Sequence, residues 1–263
     1  VFLMSFTGGY PVGAKNLTEL YDNNEISKKE AERMMSFCYM PSPAFVMGIS
    51  SVLYSSKKAG IIIYLSIAVS TILFAVISGF FAKVQYDNKS EYKIKISSET
   101  IISSVESSAV SLFKICIMII FSSVIIAFME ILLSEIGIDE IFCVLGNSFI
   151  EITSLNRLEK DIFRLLPFIT ALFSFGGISV IMQIKAIVKD RFSLKYFFIS
   201  RIIIAFLSTI VSEIAVKFIS ITASKEAIYI GSRENSVLPS IILIIMIIYL
   251  LWDKKTVAKR KNM

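Results

Sequence analysis

The sequence contains no histidine, one tryptophan and three cysteines in 263 residues. Without histidine the chain holds no imidazole base, no imidazole metal ligand and no Ser-His-Asp triad. Cys38, Cys116 and Cys143 are too few and too scattered for a disulfide framework or a zinc site. No metal and no cofactor are expected, and Cys116, inside an apolar run, is expected to pack. Charge is scarce as well. Only 18% of residues are charged, against 55% hydrophobic, and mean hydropathy is +0.74. A soluble domain carries about 25% charge. The composition therefore excludes a disordered chain and a basic nucleic-acid-binding tail, and argues against a soluble globule. The 27 Lys+Arg, against 21 Asp+Glu, sit in gaps between apolar runs. They are read as charges that keep loops on the cytoplasmic side, with no nucleic acid as a partner.

What the sequence has in abundance is apolar runs. A bilayer core takes about 20 apolar residues as a helix. Residues 59–82 carry no charge at all. Residues 115–133 are interrupted only by Glu130, residues 196–218 carry Arg201 and Glu213, and residues 163–188 are expected to break at Pro167, Gly176 and Gly177. Residues 238–252 end in Trp252, with Asp253, Lys254 and Lys255 as a stop. Residues 43–56 are too short to span alone, but joined to residues 34–37 they span around a Pro41-Ser42-Pro43 break. The basic tail (Lys254, Lys255, Lys259, Arg260, Lys261) places the C-terminus in the cytoplasm. The loops alternate backwards from there, with Lys57-Lys58 the one mild violation. The expectation is a multi-pass, all-α protein of a cell membrane. Because Val1 to Leu3 are already apolar, the first membrane segment is expected to begin before residue 1, so that an N-terminal part is missing.

An internal repeat runs through the chain. Gly8/Gly176, Gly9/Gly177 and Val12/Val180 match at one constant offset, which also pairs Asp22 with Asp190 and Arg33 with Arg201. A glycine pair in an apolar run is where a helix unwinds or another backbone approaches. Unwound backbone at membrane depth must line a protein cavity. This predicts two related halves with broken or re-entrant helices, an arrangement found in transporters. The first half is residues 1–82. Residues 83–111 are a cytoplasmic linker with an amphipathic stretch, residues 112–219 the second half, and residues 220–263 the last transmembrane helix and tail.

Several residues could carry chemistry. Open backbone groups at Gly8, Gly9, Gly13, Gly176 and Gly177 either hold an ion or anionic group or serve close helix packing. Glu151 beside Thr153 closes a segment, residues 138–150, too short to cross. It is either a site for a cation, a proton or a polar solute, or an interfacial carboxylate paired with Arg157 or Lys160. Glu130, near the end of its run, reads as reaching water, and Arg201 as snorkelling to the cytoplasmic side. Lys217 is expected to pair with Glu213 one turn earlier. Within the charged stretch 16–33, Ser27-x-x-Glu30 is a capping box for a helix from Lys28; this stretch is a solvated face or a partner surface. Residues 9–15 are not a phosphate-binding loop, because no GK[ST] follows.

Gly9-Tyr10-Pro11-Val12-Gly13-Ala14-Lys15, then Glu25-Ile26-Ser27, Glu30-Ala31-Glu32-Arg33 and Ser42-Pro43, resembles the sporulation integral membrane protein family of the YlbJ type. Its members carry the Gate, or nucleoside-recognition, domain. Glu151-Ile152-Thr153 and Ser174-Phe175-Gly176-Gly177-Ile178-Ser179-Val180 with Gln183 resemble that family's second half, so the likeness covers about residues 3–220. Where the family tends to have Asn before Ser-Pro, this chain has Tyr39, Met40 and Pro41. The resemblance implies a polytopic bacterial cell-membrane protein needed for spore cortex formation. It also implies distant kinship with concentrative nucleoside transporters and with the gate regions of ferrous-iron transporters. Repeat, carboxylate and resemblance together nominate Gly8, Gly9, Tyr10, Pro11, Gly13, Lys15, Ser42, Glu151, Thr153, Gly176, Gly177, Ser179 and Gln183 as substrate-binding residues. The expected function is a transporter-like protein, not an enzyme, that handles a small polar solute or ion within the lipid bilayer. The alternative is a non-transporting scaffold for cortex assembly. Expected protein partners are a second copy or other sporulation membrane proteins.

Overall fold

The computed structural model describes residues 1–80, 98–134, 140–158 and 163–218. The expected last span at 238–252, the basic tail, the loop 83–97 and Lys160 lie outside the described residues. Ten helices are described: α1 (Phe2–Gly8), α2 (Tyr10–Asp22), α3 (Lys28–Met35), α4 (Pro43–Tyr54), α5 (Lys57–Phe80), α6 (Ser98–Ser134), α7 (Glu140–Ile150), α8 (Leu166–Phe175), α9 (Gly177–Val188) and α10 (Lys195–Phe218). Two 3₁₀ turns, Ile152–Arg157 and Phe163–Leu165, link α7 to α8. There is no strand among the described residues. Four stretches are long and apolar enough to cross a membrane: Lys57–Phe80, Leu112–Leu132, Phe163–Val188 and Lys195–Phe218. The chain is an all-α membrane protein.

The chain breaks between helices at each glycine pair, once in the expected first half and once in the expected second half. Gly9, between α1 and α2, has φ +87°, and Gly176 and Gly177, between α8 and α9, have φ +85° and +84°. A Cβ is disfavoured in that left-handed region, so glycine is what allows the chain to stop one helix and start the next without a loop. Pro11 lies in the first turn of α2 and Pro167 in the first turn of α8. There a missing N–H costs nothing, because no helical acceptor precedes it. Pro167 therefore opens α8 and does not break the run, which is interrupted at the glycines.

The expected capping box starts α3: Ser27 Oγ accepts from the Glu30 amide, and the Glu30 carboxylate accepts from the Ser27 amide at 2.8 Å. α3 ends at Met35, residues 36–42 are not helical, and Ser42 caps α4 by accepting from the Phe45 amide at 3.3 Å. The repeat offset carries residues 36–42 onto 204–210, inside the continuous α10. The two halves thus differ at this point: one helix is interrupted and its counterpart runs through.

α10 packs on α8 and α5 and touches α3, while α4 packs on α5 and α2 on α9. The buried side chains form two clusters. Met40, Val46, Leu53, Ile63, Leu155, Leu166 and Phe173 belong to one. Ala14, Leu17, Met35, Tyr39, Ile184, Val188 and Phe197 belong to the other, where α2 and α3 meet α9 and α10. The outward faces of α5, α6 and α10 carry large apolar side chains such as Leu65, Val76, Ile120, Phe128, Ile202 and Phe206. This is the surface a lipid-facing helix presents. With apolar solvent outside, close packing and internal hydrogen bonds, not hydrophobic burial, hold such helices together.

Three expectations change here. Cys116 is exposed on α6 and does not pack. α6 is one helix through the expected linker boundary at residues 111 and 112, because nothing between Ser98 and Ser134 breaks it: that stretch has no Gly and no Pro. α2 continues to Asp22 and buries Leu17 and Thr18, so the charged stretch from residue 16 begins as a packed helix.

Candidate functional site at the paired helix breaks

The end of α8 leaves carbonyls without helical N–H partners, and the first half supplies them. Tyr10, the first residue of α2, donates its hydroxyl to the Phe173 carbonyl at 2.6 Å. Tyr39, in the unwound link, donates to the Phe175 carbonyl at 2.9 Å. The two tyrosine rings lie 4.8 Å apart between centroids. A Cβ at Gly176 would overlap the Tyr39 hydroxyl and lie 3.2 Å from the Tyr10 ring. The glycine therefore makes the room in which the two tyrosines reach the broken helix.

Glu151 sits on the other side of the break and is 2% exposed. Its amide donates to the Asn147 carbonyl at 2.8 Å, closing α7. Its Oε1 accepts from the Thr153 amide at 3.4 Å and the Thr153 hydroxyl at 3.2 Å. Its Oε2 is buried and has no hydrogen-bond partner. The backbone around it presses on the break: a Cβ at Gly177 would lie 3.1 Å from the Ile150 oxygen and 3.4 Å from the Ile152 nitrogen. Ser174, before the break, and Ser179, after it, are each 1% exposed. Their hydroxyls also lack partners. The unfilled valences flanking the break are thus one carboxylate oxygen and two hydroxyls.

Arg201 does not snorkel. It is 1% exposed, donates Nη1 to the Tyr39 carbonyl at 3.0 Å and Nη2 to the Ser36 carbonyl, and stacks over the Tyr39 ring at 4.6 Å. The reason is the unwound link, which packs against α10 and covers the side chain. Nor does Glu151 pair with Arg157. Arg157 instead forms an ion pair with Glu130, which also accepts from Asn147 Nδ2 at 2.8 Å. Glu130 is therefore partnered and does not simply reach water. The expected Lys217–Glu213 pair is present at 3.7 Å.

Of the residues nominated from sequence, the second break brings together Tyr10, Glu151, Thr153, Gly176, Gly177 and Ser179. Gly9, Gly13 and Ser42 meet at the unwound link: a Cβ at Gly9 would lie 3.4 Å from Ser42 Cβ, and one at Gly13 would overlap the Cys38 carbonyl oxygen. Gly8 is exposed at the end of α1, Pro11 and Lys15 are partly exposed on α2, and Gln183 is buried farther along α9. The sequence reading missed Tyr39 and Ser174 and misassigned Arg201. An arginine inside an apolar run was the available signal for the last of these.

No family model, curated protein or solved structure matches this chain.

Away from the breaks the two halves are joined by an ion pair. Arg191 Nε donates to Asp22 Oδ1 at 2.7 Å, and the Ser193 amide donates to Glu32 at 2.9 Å. The hydrogen bond from Arg191 holds the Asp22 carboxyl below its ordinary value. A carboxylate depressed in the folded state adds stability that is complete above its unfolded pKa. That stability is lost as pH falls through the folded value. The melting temperature of wild type is therefore expected to exceed that of Asp22→Asn by a constant small margin at neutral pH. The margin should close only in acid below the ordinary aspartate range, and shrink with added salt. A margin that persists in strong acid would assign it to something other than the ion pair.

Proposed function

We propose that this chain is a transporter-like protein of a bacterial cell membrane, with its C-terminus in the cytoplasm. In this reading it binds a small polar solute or ion at the paired helix breaks and belongs with the sporulation membrane proteins it resembles. The observation that carries the reading is Glu151, a buried carboxylate with one oxygen unpartnered, whose flanking residues Ile150 and Ile152 bring their backbone against Gly177. A buried charge with an open valence costs stability and is retained in membrane proteins where it does work. The chemistry of the open valences narrows the ligand. Both tyrosine hydroxyls are spent on carbonyls, and two guanidinium nitrogens of Arg201 are spent on carbonyls as well. What remains at the break is a carboxylate oxygen that accepts hydrogen bonds or coordinates a cation, and the Ser174 and Ser179 hydroxyls, which donate or accept, so the ligand is a proton, a cation or a neutral polar solute with a donor for Glu151. The glycine breaks in both halves support the transporter reading, because discontinuous helices at a repeat interface are where transporters hold their solutes.

The test is thermal unfolding of the purified full chain in detergent at constant ionic strength, with Na⁺, K⁺ and choline exchanged for one another, with pH varied, and with nucleosides and amino sugars added. One cation, or one donor-bearing solute, is expected to raise the melting temperature in a saturable way. Ligand at a hundred times its dissociation constant adds about 2.7 kcal/mol. A folded protein that responds to none of these would retire the transporter reading in favour of the scaffold.

A further inference from the structure

The interrupted helix of the first half has a donor problem. α3 stops at Met35, and residues 36–42 lack a helical ladder, so carbonyls that a continuous helix would satisfy are left open. Ser36, Cys38, Tyr39, Met40 and Pro41 are buried, so bulk water does not fill them. Arg201 of α10 fills two, those of Ser36 and Tyr39. A planar guanidinium presents several donors in a fixed fork and reaches both. A lysine ammonium, compact and on a flexible stem, does not reproduce that geometry. No carboxylate is among the hydrogen-bond partners that Arg201 has in the described residues, and its Nε is unpartnered. A residue serving packing alone would be cheaper as an apolar side chain of similar volume.

The same tyrosine carries the connection onward. Tyr39 is held by its carbonyl, through Arg201 Nη1 at 3.0 Å, and by its ring, under the guanidinium at 4.6 Å and against Phe197 at 5.1 Å. Its hydroxyl is the group that holds the Phe175 carbonyl beside Gly176. We infer that Arg201 is a positioning residue for the helix break of the second half: by fixing the unwound link of the first half, it sets Tyr39 against the end of α8 and so sets the geometry around Gly176 and Glu151. Each half thereby braces the break of the other. This rests on the proposed binding reading only in what the break is for; the brace itself is read from the contacts.

The experiment uses the full chain with Cys38→Ala, Cys116→Ser and Cys143→Ser, and Ser179→Cys as a reporter in the first turn of α9. Its modification by a charged, water-soluble methanethiosulfonate is timed with Arg201 and Tyr39 native, in Arg201→Lys, in Tyr39→Phe and in the double variant. Each single change is expected to speed modification about tenfold, as a local opening that becomes more populated would do. The double change is expected to add little, because both remove one brace. Unchanged rates in variants that stay folded, with at most a lower melting temperature, would overturn the inference and leave Arg201 a fold staple. Should Arg201→Lys fail to fold, Arg201→Gln takes its place, and an unchanged rate in Tyr39→Phe is enough to overturn the inference, because the hydroxyl it deletes is the link from Arg201 to the break. Cation titrations on wild type and on the Arg201 and Tyr39 variants, all with Ser179 native because its open hydroxyl is part of the proposed site, separate the two ideas. Faster modification with no cation response in any variant keeps the brace and removes the binding reading, whereas an intact cation response with unchanged modification rates removes the brace alone.

Discussion

Replacing Gly13 by alanine is expected to cost the protein its fold, or at least about 3 kcal/mol, the upper end for overpacking in a well-packed interior. The added methyl would overlap the carbonyl oxygen of Cys38, and on its other side would lie 3.3 Å from Ser5 Cβ. A backbone oxygen cannot rotate away as a side chain can. Relief therefore requires α2 to lift off the unwound link, and α2 begins with Tyr10, whose hydroxyl is tied to the Phe173 carbonyl. Moving it strains the second break as well. Gly146 on α7 is the matched control, because a Cβ there meets nothing within 4 Å. Gly146→Ala is expected to be neutral or to stabilise by up to about 1 kcal/mol through helix propensity. Melting temperature and monodispersity in detergent, measured side by side, check both. A Gly13→Ala variant that melts with wild type would mean that α2 is not seated on the link as described.

What could be read from sequence and what could not divides along physical lines. Features that depend on neighbours in sequence were legible. The apolar runs gave the membrane helices, Ser27 and Glu30 gave the start of α3, and Glu213 and Lys217 gave their one-turn pair. The glycine pairs were legible for a similar reason, since a left-handed backbone inside an apolar run is a local demand. Arg201 was not legible, because its place near the start of a run is equally suited to snorkelling. What buries it is the link at residues 36–42, whose Ser36 and Tyr39 lie 165 and 162 positions away in sequence. That Arg157 pairs with Glu130 and not with Glu151 was hidden for a related reason. Arg157 is closer in sequence to Glu151, but the 3₁₀ turn that Glu151 caps directs Arg157 to Glu130 on α6. Ion-pair partners in a helical membrane protein are chosen by which helices meet, and that is tertiary information.

Glu151→Gln is expected to move stability and binding in opposite directions. In the unliganded protein the carboxylate keeps one oxygen for the Thr153 amide and hydroxyl and leaves the other buried without a partner. An unsatisfied buried polar atom costs about 1–3 kcal/mol, and more when it is charged. Glutamine has nearly the same volume, keeps an oxygen for Thr153 and removes the charge. The ligand-free variant is therefore expected to melt higher than wild type while losing the melting-temperature rise caused by the cation or solute. Glu151→Ala separates this from capping, because it also removes the Thr153 bonds and leaves a void, and it is expected to melt lower than wild type. If Gln and Ala both destabilise, Glu151 is a cap for the turn at Ile152–Arg157 and the binding reading loses its main support. If Gln stabilises and binding is lost, the cost of the open carboxylate is assigned to function, in the way that sites commonly trade stability for activity.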